Sequence, residues 1–407
     1  MGRIARNTFG AVLLLALLLP LGCGHRGSPR PLEGVPLVRV RLMQDQHLVT
    51  ITASRPPSAS IGSAKPVTLN LPRNEAVPVR LTAQGWRVGD ETLASPGELT
   101  LQPDGDGSVS VNGTPYRGRY RFVPTPSGSF DVVNDVDVDG YLKSVVSKEL
   151  LWNWHPEAYR AQAIAARTYA LYERAGAEGR GSYDLNDDVR SQVYGGMTAE
   201  SAKSRDAVDA TAGVVAAYQT GHGYRIFKAY FSSCCGGITA SAADVFNEPD
   251  IPPLSARYVG PVCKDSTRFV WGPVVMDKAE LTRRFRAWGN ARGHALKDVG
   301  DVVSVEVLTA NRFGRPTRFL VTDARGTRYA LSGEEIRWAV NTGGVKLNSS
   351  FFKPINEPTV IRFAEGHGWG HGVGMCQWCA ESYAEDGMAH EDIVLKSFPG
   401  AALKRAY

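Results

Sequence analysis

The chain has 407 residues, of which 43% are hydrophobic and 21% charged, and its formal net charge is +5. That is the composition of an ordinary globular protein, long enough for one large core or two modest ones. Lysines and arginines are scattered rather than gathered in a stripe, which argues against nucleic acid as a partner.

In chain order, Arg3 and Arg6 precede an apolar run from Ala11 to Leu21, followed by Gly22 and Cys23. A positive stretch and a short apolar run form an export signal, too short to span a bilayer. Residues 1–22 therefore read as a signal peptide of lipoprotein type, with Cys23 as the lipidated residue and 23–35 as a tether. Membrane contact would come only through that N-terminal lipid. From Pro36 to Asp139, segments such as "LVRVRL", "LVTITA", "PVRLTA" and "RGRYRFV" alternate between turn residues as strands do, and 36–114 is set as a β-rich N-terminal part.

The period then changes. "VDGYLKSVVSKELLWNW" (138–154) carries valines and leucines at helical spacing, and Pro156 suits the first turn of the next helix. Thr198 is a candidate cap for a helix running to Gly213. Strands "VVAAY" and "RIFKAYFSS", a helix over 277–288, strands "SVEVLTA" and "TRFLVTD", and a Ser332/Glu335 capping box follow. Two short helices separated near Gly387 end the chain, so the expected class is α+β.

Six stretches carry more information: "YLKSVVSKEL", "HPEAYRAQAIAARTYAL", "YDLNDDVRSQVYGG", "FSSCCGGITASAADVF", "LSGEEIRWAV" and "GHGWGHGVGMCQW". In this order they resemble the stage II sporulation protein D / amidase enhancer family, across a domain set at 115–400. The resemblance implies a peptidoglycan lytic transglycosylase, which cuts the glycan strand without water and leaves 1,6-anhydro-muramyl ends. Its implied partners are glycan strands, preferably denuded of stem peptides, and a cell-wall amidase. The rival it also implies is a non-catalytic peptidoglycan-binding enhancer of such an amidase.

The residues support the chemistry in their own right. A hydrolytic glycosidase needs two carboxylates. A lytic transglycosylase can use one, as acid and then base, because the substrate's own 6-hydroxyl is the nucleophile. Such an acid must stay protonated near neutral pH, which an apolar setting favours. Glu149 has that setting, between Val145, Val146, Leu150, Leu151, Trp152 and Trp154, and it occupies the family's catalytic position. By the same resemblance Gln162, Arg167, Gln192, Tyr194, Ser232, Ser233, His371 and Gln377 would bind or position glycan. One or two of Trp152, Trp154, Trp369 and Trp378 are expected to stack on sugar.

Some family members carry a zinc site of two cysteines and a histidine. Asn186, Arg190 and Ser191 stand at the matching positions here, so that site is expected to be absent. No cofactor is needed by the mechanism, and no metal is assigned. The spacing of His367, His371, Cys376 and Cys379 admits a metallohydrolase as a further rival. After export, five cysteines remain: Cys234, Cys235, Cys263, Cys376 and Cys379. Disulfides are the default in an oxidising compartment, with a structural zinc left open. The expectation is a staple from Cys376 and Cys379 to Cys234 or Cys235, or a link from that pair to Cys263.

Overall fold

The computed structural model describes residues 34–188 and 190–407. The signal peptide, the lipidation site at Cys23 and nearly all of the tether lie outside the described residues. Within them, no helix is long and apolar enough to cross a membrane. The protein is α+β, with eight α-helices and mostly antiparallel sheets among the described residues.

Two sheets form the N-terminal half. One has seven strands in the order Leu185–Asn186, Leu37–Gln46, Phe130–Asp137, Arg119–Pro124, Leu99–Gln102, Ser58–Ile61 and Val67–Thr68. The other has six, with Val49–Ala53 between Val109–Val111 and Ala76–Thr82. Alternation decides which face is inside: Val38, Val40 and Leu42 point inward from one strand, Val49, Ile51 and Ala53 from another. Between the sheets, the Trp86 ring packs edge-on against Phe122 and Phe130, at 5.9 and 5.1 Å.

The strand Phe130–Asp137 runs directly into helix α1, Val138–Glu149. Asp137 caps it by accepting the Gly140 amide at 2.6 Å. Val138, Tyr141, Leu142, Val145 and Val146 form its buried stripe. The chain leaves the helix at Leu150, and the expected continuation to 154 is instead a turn. Helix α2, Pro156–Ala177, begins with proline at its first position; buried Ala161, Ala163, Ala165, Ala166 and Ala170 let its neighbours approach closely. Helix α3, Ala202–Ala210, is capped by Ser201 rather than Thr198, because Ser201 and Ser204 satisfy each other's backbone amides in a capping box. Strand Val214–Thr220 lies between Gly223–Ile226 and the last strand, Ala401–Arg405. The "RIFKAYFSS" strand is broken, with Gly223–Ile226 and Phe231–Ser232 in different sheets.

After the short helix α4, Ala242–Phe246, the chain builds a second unit with its own core. Helices α5, Lys278–Arg292, and α6, Gly333–Val340, pack on two three-stranded sheets around Phe285, Phe319, Phe352 and Phe363. The expected Ser332/Glu335 capping box opens α6. The chain then returns through Met375–Cys376 into helix α7, Gln377–Glu385, and helix α8, His390–Ser397. Both rejoin the first core, which is continuous from Val38 to Phe398 and shows no break near residue 114. Phe231–Ser232 and Met375–Cys376 pair as parallel strands, sewing the two sides of the second unit together.

Candidate active site

Glu149 is the last residue of α1, on the face that also carries Val145 and Tyr141 one and two turns earlier. Its carboxyl is half-buried, and burial raises its pKa above the ordinary value. A helix C-terminus adds to this, since its partial negative charge disfavours a carboxylate. Two donors work in the opposite direction: the Gln377 amide at 3.2 Å from Oε2, and the Val193 backbone. Gln377 is buried at the first position of α7, so an acid and a donor 228 residues apart meet across two helix termini.

Tyr141 was not anticipated as part of this site. Its hydroxyl donates to Gln192 Oε1 at 3.2 Å, and Gln192 in turn donates to the Ala166 carbonyl. Burial raises the pKa of this hydroxyl, and the neighbouring Tyr169, Tyr194, Glu149 and Asp187 add to it. Asp187, also half-buried, has a pKa pushed up to about 6 by burial and by the adjacent Asp188 charge. The signal for Tyr141 lay in its spacing, eight residues before Glu149 on one helical stripe. Asp187 stood within the "YDLNDD" stretch with nothing to single it out.

The turn after Glu149 is held firmly. Lys203 donates to the carbonyls of Trp152 and Trp154 at 2.9 and 2.5 Å, and the Tyr159 hydroxyl donates to the Leu151 carbonyl at 3.0 Å. This leaves Trp152 85% exposed, three residues after the acid in the chain. Trp154 is buried edge-on against Trp378 at 5.0 Å, so those two tryptophans pack the interior. Trp369 is half-exposed, with Arg268 over its ring.

The remaining expected residues divide by where their polar atoms point. Arg167 is fully buried: it donates to Asp139 at 2.9 and 3.0 Å, to the Tyr407 hydroxyl at 3.0 Å, and to the carbonyls of Val208 and Val214. Its guanidinium is spent on the interior and is not presented to a cleft. Tyr194 is likewise buried, its hydroxyl donating to Asn134 at 3.0 Å. Ser232 Oγ accepts the Gly372 amide at 3.2 Å. Ser233 is half-buried; its carbonyl caps α7 by accepting the Trp378 amide at 3.0 Å. Gln162 is fully buried, with neither atom of its amide partnered among the described residues. It lies on the α2 stripe between Tyr159, which holds the Leu151 turn, and Ala166, which holds Gln192.

His371 packs against Tyr230 and Phe246 while its Nδ1 accepts the Val373 amide at 3.0 Å. Burial, helped by the Arg337 and Arg315 charges, lowers its pKa to about 3, so the ring is neutral. The loop tucks over the buried Arg315 guanidinium, which donates to the His371 carbonyl at 3.1 Å. Only glycine fits at 372: its φ is +75°, and a Cβ there would sit 2.4 Å from Arg315 Nη1. His367 packs between Phe351, tilted against it, and Phe269, edge-on. Neither histidine belongs to a group of three or more metal-ligating side chains among the described residues, which removes the support for a histidine-bound metallohydrolase.

The cysteines correct the expectation of a disulfide staple. All five are free and buried. Cys235 Sγ lies 3.7 Å from Cys263 Sγ and 3.9 Å from Cys379 Sγ, far beyond the roughly 2.05 Å of a disulfide.

Two family models match the chain: one described as stage II sporulation protein over residues 126–218, and one described as a domain of unknown function over residues 259–374. The first covers α1, α2 and α3; the second coincides with the unit that has its own core. An uncharacterized protein of Brachyspira hyodysenteriae is 26% identical, over 88% of this chain and 90% of its own length. The amidase enhancer of Bacillus subtilis is 25% identical, over 64% of this chain but 40% of its own length. Stage II sporulation protein D of the same organism is 24% identical, over 76% of this chain and 84% of its own.

Proposed function

The chain belongs to the stage II sporulation protein D / amidase enhancer family, and we propose that it is an envelope enzyme cleaving peptidoglycan glycan strands as a lytic transglycosylase. The observation that carries the reading is a half-buried Glu149 whose pKa is raised by burial and whose carboxyl meets the Gln377 amide, with an exposed indole on the turn that follows it.

Glu149 enters as the neutral acid and gives its proton to the glycosidic oxygen as the C1–O bond breaks. The resulting carboxylate then takes the proton of the substrate's 6-hydroxyl, whose oxygen closes on C1 as the anhydro ring. No water is consumed and the acid is restored. The Gln377 amide stabilises the carboxylate form between the two steps, so the two donors and the desolvation bracket the proton affinity of one group. Trp152 offers a stacking face for the sugar next to the scissile bond. Ser233, Gln162 and the loop carrying His371 would line or support the strand's path, and denuded strands are the expected substrate.

Purified protein incubated with denuded glycan strands tests this. Anhydro-muramyl ends are expected, and Glu149→Gln should lower their formation by about 10²–10⁴-fold. Intact activity in that variant would remove Glu149 from the chemistry. Reducing ends in place of anhydro ends would make the enzyme a hydrolase, which needs a second carboxylate. The amidase-enhancer reading predicts no cleavage at all, with stimulation of a wall amidase unchanged in Glu149→Gln.

A further inference from the structure

The four thiols of Cys235, Cys263, Cys376 and Cys379 lie mutually within 4.8 Å, all buried. A tetrahedral zinc with Zn–S near 2.3 Å puts its sulfurs about 3.8 Å apart. Two of the separations, 3.7 and 3.9 Å, both radiate from Cys235 and favour neither partner. Pairwise disulfide formation would have to choose; a shared ion does not. Cys234 stays out of the group, its sulfur pointing at the Cys263 carbonyl.

The surroundings supply independent support. Four thiolates around a divalent ion carry a net charge of −2, and two arginines without carboxylates border the group. Arg315 is fully buried and donates only to the carbonyls of Cys235, Ile238 and His371, leaving Nε without a partner. Arg257 reaches only the carbonyls of Lys396 and Ser397, and it lines the same cleft as Cys376 and Cys379. Neither has an acidic partner among the described residues. A buried guanidinium with no counter-charge is costly, and a dianionic metal centre supplies one. Cys376 and Cys379 occupy the N-cap and third positions of α7, where the helix dipole favours thiolates, and the Cys235 amide donates to Cys376 Sγ at 3.2 Å. The cleft beside Cys376 and Cys379 gives the ion a way in.

We propose that Cys235, Cys263, Cys376 and Cys379 hold one structural zinc ion that clamps the second unit to the catalytic core. The ligands come from the loop after Phe231–Ser232, from the turn Pro261–Cys263 where the chain enters the second unit, and from the helix by which it returns. The site is separate from Glu149, and the proposal stands whatever that residue does.

Metal content of the full chain, purified without chelator, tests it. About one zinc per chain is expected, released stepwise as an organomercurial titrates the thiols and read with a colorimetric zinc indicator. X-ray absorption should show four sulfurs at about 2.3 Å. Cys263→Ala should lose the zinc, while Cys234→Ser should keep it. A folded, metal-free wild-type chain would overturn the proposal, whether its mass is short of two or four hydrogens, as disulfides require, or all five thiols are free. Zinc retained in Cys263→Ala would overturn it equally.

Discussion

A carboxyl whose proton affinity is raised by burial costs stability once it must ionise, and Glu149 is such a group. Its folded pKa is raised, so the folded state binds the proton more tightly than the unfolded chain. Stability from this group is complete below the unfolded value and declines as pH rises through the folded one. Glu149→Gln does not titrate, so its stability relative to the wild type should grow from pH 4 to pH 8 in urea melts; a gap constant with pH would show that Glu149 is not desolvated. Gln162 invites a second measurement at this scale. Its amide makes no internal bond to lose, so Gln162→Leu should keep stability within about 1 kcal/mol of wild type, or raise it, while glycan cleavage falls. Glu149 was legible in sequence because its apolar neighbours are local. Arg167, Tyr194 and Ser232 were not, because their partners Asp139, Tyr407, Asn134 and Gly372 come from distant segments.

Helices α1 and α2 are joined by one buried guanidinium. Arg167 links Asp139 in the first turn of α1 to Tyr407, two residues beyond the last strand, so it ties both helices to the C-terminal segment. Arg167→Leu leaves Asp139 half of a broken pair and should cost about 3–5 kcal/mol in denaturant titrations. Unchanged stability with weakened glycan binding would return Arg167 to the cleft. Element types were readable from periodicity, whereas their ends were set by capping. The α1 pattern ran on through Trp154, but the turn needed by Lys203 and Tyr159 ends the helix at Glu149. At α3 a serine three residues beyond Thr198 offered the reciprocal cap and took the position.

At the scale of the molecule, the strands of the N-terminal part and helices α1, α2, α7 and α8 share one core, while residues Trp271 to Phe363 build another. No composition shift marked this division, since strands and helices follow one another both before residue 260 and after it. Separate cores allow separate opening. Native-state hydrogen exchange should therefore find Val302–Ala310 and Pro316–Asp323 opening with a free energy at least about 1 kcal/mol apart from that of Phe130–Asp137. Identical openings would mean that the two cores unfold as one.

The parallel pair of Phe231–Ser232 with Met375–Cys376 has a consequence for how the chain finds its native state. It closes a loop of more than a hundred residues, and without that closure Gln377 never reaches Glu149. If the second unit folds first on its own core, most of that loop is already ordered and only about thirty residues remain to be closed, which lowers the entropic cost by roughly 1.4 kcal/mol. The second unit then acts as an internal scaffold for assembly, and the acid and its donor come together late, after the part of the chain that contributes neither has taken shape.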